Sequence, residues 1–312
     1  MIWLSVFCLV ASGCGDYTGS TRAAREEFYA GKYTEAAKSL EKGAHEEGVD
    51  QLLFLFDRAT ALHHAGDYEE SNKDFTLADK LSEIKDYTSL ATEVATIITN
   101  DRIIPYKGED FEKVLISQYM AINYLMLGKL EDALVECRRV NQKLYMMISE
   151  GKRKYRLNPF ANYLSAVIYE SQGEWDHAYI DYQAAFKLMP EATWLGEDLY
   201  RLAWKNKIQE DAIKWRDQFG FDQAQEKRIR DDAALAEIVV LVENGKSPQK
   251  FAHPSWYALP QYRPRPNTGD RVDVSVGGGA ASGDSHKLFD VEGTAIHDLD
   301  DKYAGILAKR IA

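Results

Sequence analysis

The chain reads as a mainly α-helical protein, a series of antiparallel helix pairs closed by a small β-rich appendage. Three observations predict this. Four short strings recur: Gly31-Lys32-Tyr33-Thr34-Glu35-Ala36, Gly66-Asp67-Tyr68-Glu69-Glu70-Ser71, Gly128-Lys129-Leu130-Glu131-Asp132-Ala133 and Gly173-Glu174-Trp175-Asp176-His177-Ala178. Apolar residues on either side of them recur at the helical period. The composition then shifts near residue 235: five of the eight prolines lie at or after Pro248, and seven of the 21 glycines lie after residue 250.

Each recurring string is a glycine, a polar residue, a large apolar residue, two polar residues and a small one. The glycine ends one helix, the large residue packs across the turn, and the small residue (Ala36, Ala133 and Ala178 in three of the four) lets two helices approach closely. The turn resembles the middle of a tetratricopeptide (TPR) unit, a helix pair of about 34 residues. The flanks fit that resemblance. Seven residues before the glycines stand Ala24, Ala59, Ala121 and Ala166, and nine after stand Leu40, Phe75, Cys137 and Tyr182. Twelve after, where the pattern wants a small residue, stand Gly43, Ala78 and Ala185, with Val140 the exception. The predicted fold is therefore mainly α, a tetratricopeptide-like helix-pair array over residues 23–234 with a small β-rich C-terminal appendage over 235–312.

The amino terminus, M-I-W-L-S-V-F-C-L-V-A-S-G-C, is apolar, uncharged and too short to span a bilayer. It suits a secretory signal over residues 1–13. Ala11-Ser12-Gly13-Cys14 resembles the lipobox of bacterial lipoproteins, in which the cysteine sulfur takes a diacylglycerol and becomes the new first residue. No basic stretch precedes the apolar run, so the natural start is expected to lie further upstream. Residues 14–22 then form the lipidated tether.

Spacing along the array is uneven. The step from Gly31 to Gly66 is 35 residues, from Gly66 to Gly128 it is 62, and from Gly128 to Gly173 it is 45. The long second step predicts an extra helix-length insert from Tyr87 to Thr99 that ends near Pro105. The third predicts a helix from Leu130 to about Glu150, with Pro159 in the first turn of its successor. Helical pattern continues through Trp204 and Trp215, with a degenerate turn at Asn206-Lys207.

In the appendage, Ile238 to Val242 is a β-branched run before Glu243-Asn244-Gly245-Lys246, whose Asn-Gly pair suits a hairpin. Pro248 would make the second strand of that hairpin an edge. Arg271 to Val276 alternates like a strand, and Thr294 to Ala312 reads as a closing helix.

A balance of 38 basic against 49 acidic residues, net −11, argues against nucleic-acid partners, which are held by clustered cations. Residues 251–312 carry 7 basic and 8 acidic residues, so the acidity belongs to the helical part. Three cysteines build neither a disulfide framework nor a zinc site, and after loss of Cys8 and lipidation of Cys14 only Cys137 remains, expected as a buried thiol. Gly283-Asp284-Ser285 resembles one esterase string but is placed in a loop, without the strand-to-helix turn and base that a nucleophilic serine needs. The seven histidines form no ligand pair, and Asp298, Asp300 and Asp301 lack the glycine and closing Glu of a calcium loop, so they read as a helix N-terminal charge cluster. Lys152-Arg153-Lys154-Tyr155-Arg156 reads as a solvated helix cap. No catalytic residue, metal or cofactor is expected.

The strings Asp101-Arg102-Ile103-Ile104-Pro105-Tyr106-Lys107-Gly108-Glu109-Asp110-Phe111-Glu112 and Val135-Glu136-Cys137-Arg138-Arg139, with Glu243-Asn244-Gly245, Pro248 and Lys250, resemble a group of uncharacterised TPR-bearing lipoproteins of Gram-negative bacteria. The resemblance covers most of the chain. It implies an outer-membrane, periplasm-facing location and a scaffold role, and the group's members often continue past the final helix.

The function expected is a lipid-anchored envelope adaptor that binds another envelope protein, of the cell-wall synthesis or polysaccharide export machinery, through a TPR-like groove. In such grooves the lining comes from the first helix of each pair. Counting ten and six residues back from Gly66, Gly128 and Gly173 gives Phe56 and Thr60, Gln118 and Ile122, Tyr163 and Val167. None is a Lys, Arg or Asn able to clamp a free carboxylate, so an apolar, aromatic groove is expected, open or filled by the insert around Tyr87 to Pro105. The competing reading is a glycan- or peptidoglycan-binding protein or enzyme with its site in the C-terminal region, where His253, Trp256, Tyr257 and Tyr262 could form a sugar platform.

Overall fold

The computed structural model describes residues 17–92, 106–149, 158–233, 235, 237–252, 260–265, 271–277 and 281–311. Cys14, the end of the insert, the basic knot at 152–156 and the aromatic residues at 253–257 lie outside them. The chain divides into two compact units, Met1–Gly108 and Glu109–Ala312. The division falls within the long step between the second and third turns.

The first unit holds α1 (Tyr17–Ser20) and two helix pairs, α2 (Arg22–Tyr29) with α3 (Tyr33–His45), and α4 (Gln51–Ala65) with α5 (Tyr68–Thr92). The insert begins as an unbroken extension of α5 as far as Thr92. The second unit holds α6 (Asp110–Met126) with α7 (Leu130–Ser149), α8 (Pro159–Ser171) with α9 (Trp175–Leu188), and α10 (Gly196–Lys205) with α11 (Gln209–Phe219). It continues with α12 (Gln223–Asp232), strands β1 (Gln249–Ala252), β2 (Pro260–Arg263), β3 (Asp273–Val276) and β4 (Ala281–Asp284), and α13 (Val291–Ile311).

The turns explain the pairs. Gly31, Gly66, Gly128 and Gly173 take φ of 76°, 82°, 70° and 78°, the left-handed region that glycine enters at least cost. The residue after each returns its N–H to a carbonyl five residues back: Lys32 to Glu27, Asp67 to Leu62, Lys129 to Tyr124 and Glu174 to Tyr169. This closure satisfies the last carbonyls of the first helix and starts the second one residue later. Lys207, at φ 60°, makes a fifth turn of the same kind, with Ile208 N–H bonded to Ala203 C=O.

Small residues then meet where the helices cross. Ala36, Ala59, Ala133, Ala166, Ala178 and Ala185 are wholly buried. At Gly43 an added Cβ would sit 2.5 Å from the Phe54 ring, so only glycine fits there. The bulky positions Leu40, Phe75, Cys137 and Tyr182 fill the space between, and Val140, the departure from the small-residue pattern, is buried too. Pro159 opens α8 behind Asn158, whose side chain accepts the Phe160 N–H.

Three expectations for the appendage are corrected. Residues 237–242 form no strand. The first strand begins after Pro248 and pairs antiparallel with β2, Gln249 opposite Arg263. Pro248 has no N–H for a ladder, and Leu241 is half-buried and packs against helices instead of in a sheet. Gly283 and Asp284 end β4, with Ser285 directly after the strand, where its Oγ accepts the Val272 N–H at 2.8 Å. The closing helix starts at Val291, because Asp290 caps it by accepting the Gly293 N–H at 3.0 Å. Asp298 and Asp300 consequently lie inside the helix and do not form an N-terminal cluster. α13 packs on α6 and β2 and buries Ala295 and Leu299.

Candidate functional site

The lining positions expected in the second unit lie on the first helix of each pair, α6 and α8. On α6, Gln118 is buried and Ile122 half-buried. On α8, Tyr163 and Val167 are half-buried and pack on the cluster around Tyr182 and Leu199, with the Tyr163 ring edge-on to Tyr182 (5.7 Å) and Trp194 (5.5 Å). In the first unit, Phe56 and Thr60 are half-buried on α4, and Thr60 Oγ1 donates to the Phe56 carbonyl at 2.8 Å.

Reading only the glycine turns missed one lining residue. Six residues before Lys207 stands Arg201, on the same face of α10 as Ile122 on α6 and Val167 on α8. The absence of cations expected at lining positions therefore does not hold for the fifth pair. Counting back from Lys207 as from the glycines would have found it. Arg201 is no free clamp, however. Its guanidinium donates to Glu170, with Nη2 at 3.2 Å from Oε2, and to Asp198 at 2.7 Å. Glu170 also accepts from Tyr182 OH at 3.3 Å. Burial pushes the Asp198 carboxyl up to about 6, while Arg201 pulls the other way. Burial and the neighbouring Asp198, Glu237 and Glu170 charges likewise raise the Tyr163 hydroxyl above its ordinary range.

An extended run crosses this face. Glu237 lies 3.6 Å from Arg201 on α10 and acts on Tyr163 of α8. Leu241 packs onto the cluster made by Ala121, Leu134, Cys137, Leu164 and Ile168, from α6, α7 and α8. Glu243 accepts a hydrogen bond from the Tyr119 hydroxyl on α6. In seven residues the chain thus passes the first helices in reverse order. The segment that crosses these positions is 237–243; the insert, expected as one alternative to an open groove, lies largely outside the described residues.

Cys137 is buried, and burial pushes its thiol up to about 12, which makes it a poor nucleophile. Tyr262, on β2, stands near Glu109, Glu112 and Asp298, and its hydroxyl is raised by burial and by their charges. A hollow of about 480 Å³ is lined by Met189, Trp194, His286 and Lys287, but His286 already stacks on the Trp194 ring at 4.9 Å. No helix among the described residues is long and apolar enough to cross a membrane.

The turns and the paired helices define a tetratricopeptide-like helix-pair protein. No family model matches the chain, and no curated protein matches it. Among solved structures it is similar to MamA 41-end from Desulfovibrio magneticus RS-1, at 17% identity over 69% of this chain and 97% of that one, with a TM-score of 0.42. A MamA RS-1 double mutant gives 17% identity over 70% and 98%, with a TM-score of 0.43. A kinesin-light-chain-type set of nearly identical TPR-like repeats from Podosopora anserina gives 13% over 67% and 95%, with a TM-score of 0.42. These are likenesses of fold alone.

Proposed function

We propose that the chain is a non-enzymatic scaffold of the Gram-negative envelope, anchored to the outer membrane through lipid on Cys14 and facing the periplasm. It binds another envelope protein through the groove of its second unit. The observation that supports this reading is the run 237–243 lying across α10, α8 and α6, a segment of polypeptide accommodated on those helices. The lipobox-like string at Ala11 to Cys14 and the resemblance to TPR-bearing lipoproteins support the location. The partner belongs to cell-wall synthesis or polysaccharide export.

Two measurements test it. Cys14→Ser should abolish lipid labelling and move the protein to the soluble periplasmic fraction; unchanged membrane retention contradicts the anchor. Crosslinking in intact cells followed by capture should return a protein; retention of muropeptide or polysaccharide without protein would favour the glycan-binding reading instead.

A further inference from the structure

Three side chains hold the run 237–243: Glu237 at Arg201, Leu241 on the α6–α8 cluster and Glu243 at the Tyr119 hydroxyl. Leu241 is its one apolar residue set into the helical surface; Ile238, Val239, Val240 and Val242 are 67%, 37%, 49% and 42% exposed. Among the described residues no backbone hydrogen bond joins 237–242 to the helices. The groove floor does not depend on the run, because Arg201 is already fixed by Glu170 and Asp198.

The contact at Glu237 is also poorly matched in charge. Two cations face three carboxylates there. Arg201 and Lys205, the latter lying 3.9 Å over the Trp175 ring, stand against Glu170, Asp198 and Glu237. Without Glu237 the group is balanced; with it, one negative charge is in excess. A hydrogen-bond acceptor without charge would take the same Arg201 donor and add no third carboxylate.

We propose that residues 237–243 are a displaceable intramolecular ligand, and that the partner that replaces them is an extended protein segment carrying a leucine for the α6–α8 surface and an uncharged acceptor four residues before it. This rests on the reading of the groove as a protein-binding site. Tethering gives the resident segment an effective concentration on the order of millimolar, so a competitor must either bind better or arrive when the tether is released.

The test uses the full chain and fluorescent peptides spanning residues 235–248, with the native sequence, with Glu237→Gln and with Leu241→Asp. Leu241→Asp in the protein releases the resident run. The released protein should bind the native peptide at least about tenfold more tightly than the unaltered protein. The Glu237→Gln peptide should bind at least as well as the native one, and the Leu241→Asp peptide should not bind. Equal binding to both proteins, or equal binding of the leucine and aspartate peptides, overturns the proposal. If the altered protein fails to fold, hydrogen exchange on the unaltered protein decides: saturating Glu237→Gln peptide must raise exchange over 237–243, and unchanged exchange at saturation rejects displacement. Peptide exchange without any captured cellular partner would sink the scaffold reading and leave this one standing. Partner capture that is indifferent to release of the run would do the reverse.

Discussion

Arg201 Nη2 lies 3.6 Å from Glu237 Oε2, and this contact joins the inner face of the fifth helix pair to the segment that crosses the groove. The same guanidinium carries Asp198 and Glu170, so one side chain organises both the floor of the groove and the start of its occupant.

Asp198 makes that network pH-dependent. Burial raises its folded-state value from 3.8 to about 6 against the pull of Arg201. The folded chain therefore holds this proton more firmly than the unfolded one. The contribution is fully present below about pH 4 and is lost as pH rises to about 6, amounting to roughly 2–3 kcal/mol at most. Denaturant unfolding at stepped pH should show the stability of the unaltered protein falling relative to Asp198→Asn across that window. A parallel pair of curves contradicts the shift.

Ala133 and Ala178 are wholly buried where paired helices cross. Ala133→Phe or Ala178→Phe should cost about 1–3 kcal/mol through overpacking. Ile180→Ala, at a residue 59% exposed on the same helix as Ala178, should cost under about 0.5 kcal/mol. Melting curves that fail to separate these variants contradict the phasing of the units.

Lys207 and Gly66 give opposite expectations from one geometry. Lys207 sits at φ 60°, so Lys207→Gly should leave stability level or raise it by up to about 1 kcal/mol, because glycine enters this region freely. Gly66 sits at φ 82° with open space around it, so Gly66→Ala should lose about 1 kcal/mol from conformation alone. Thermal unfolding of the two variants measures both signs.

Lys302 holds α13 to the start of α6, with Nζ 3.0 Å from Glu109, 3.4 Å from Asp110 and 2.8 Å from Asp298. Lys302→Met leaves these carboxylates without their shared cation and should cost roughly 2 kcal/mol. Hydrogen exchange should accelerate in α13 before it does in α8 and α9. Uniform acceleration across the unit would show that the cluster is not what fastens the helix.

How much of this was legible in the sequence follows from where each constraint arises. Turns at Gly31, Gly66, Gly128 and Gly173 could be read because left-handed backbone and close helix crossings restrict the residue types locally. Arg201 was hidden because Lys207 stands where the other turns have glycine, so the count that finds the lining had no glycine to start from. The run at 238–242 has the composition of a strand, and nothing local says whether Leu241 packs in a sheet or against a helical surface; tertiary packing decides. Asp298 was misplaced along its helix because the cap is Asp290, four residues before Thr294, where the helix was expected to start.

A photo-crosslinking amino acid in place of Tyr119, which bonds Glu243 at the far end of the groove, tests the account most directly in intact cells. Adducts to the chain's own 237–243 segment are expected in otherwise unaltered protein, and an adduct to a second protein that grows when Leu241→Asp releases that segment. Partner adducts that form only from an outward-facing position such as Ile180, with none from position 119 in either protein, would contradict it.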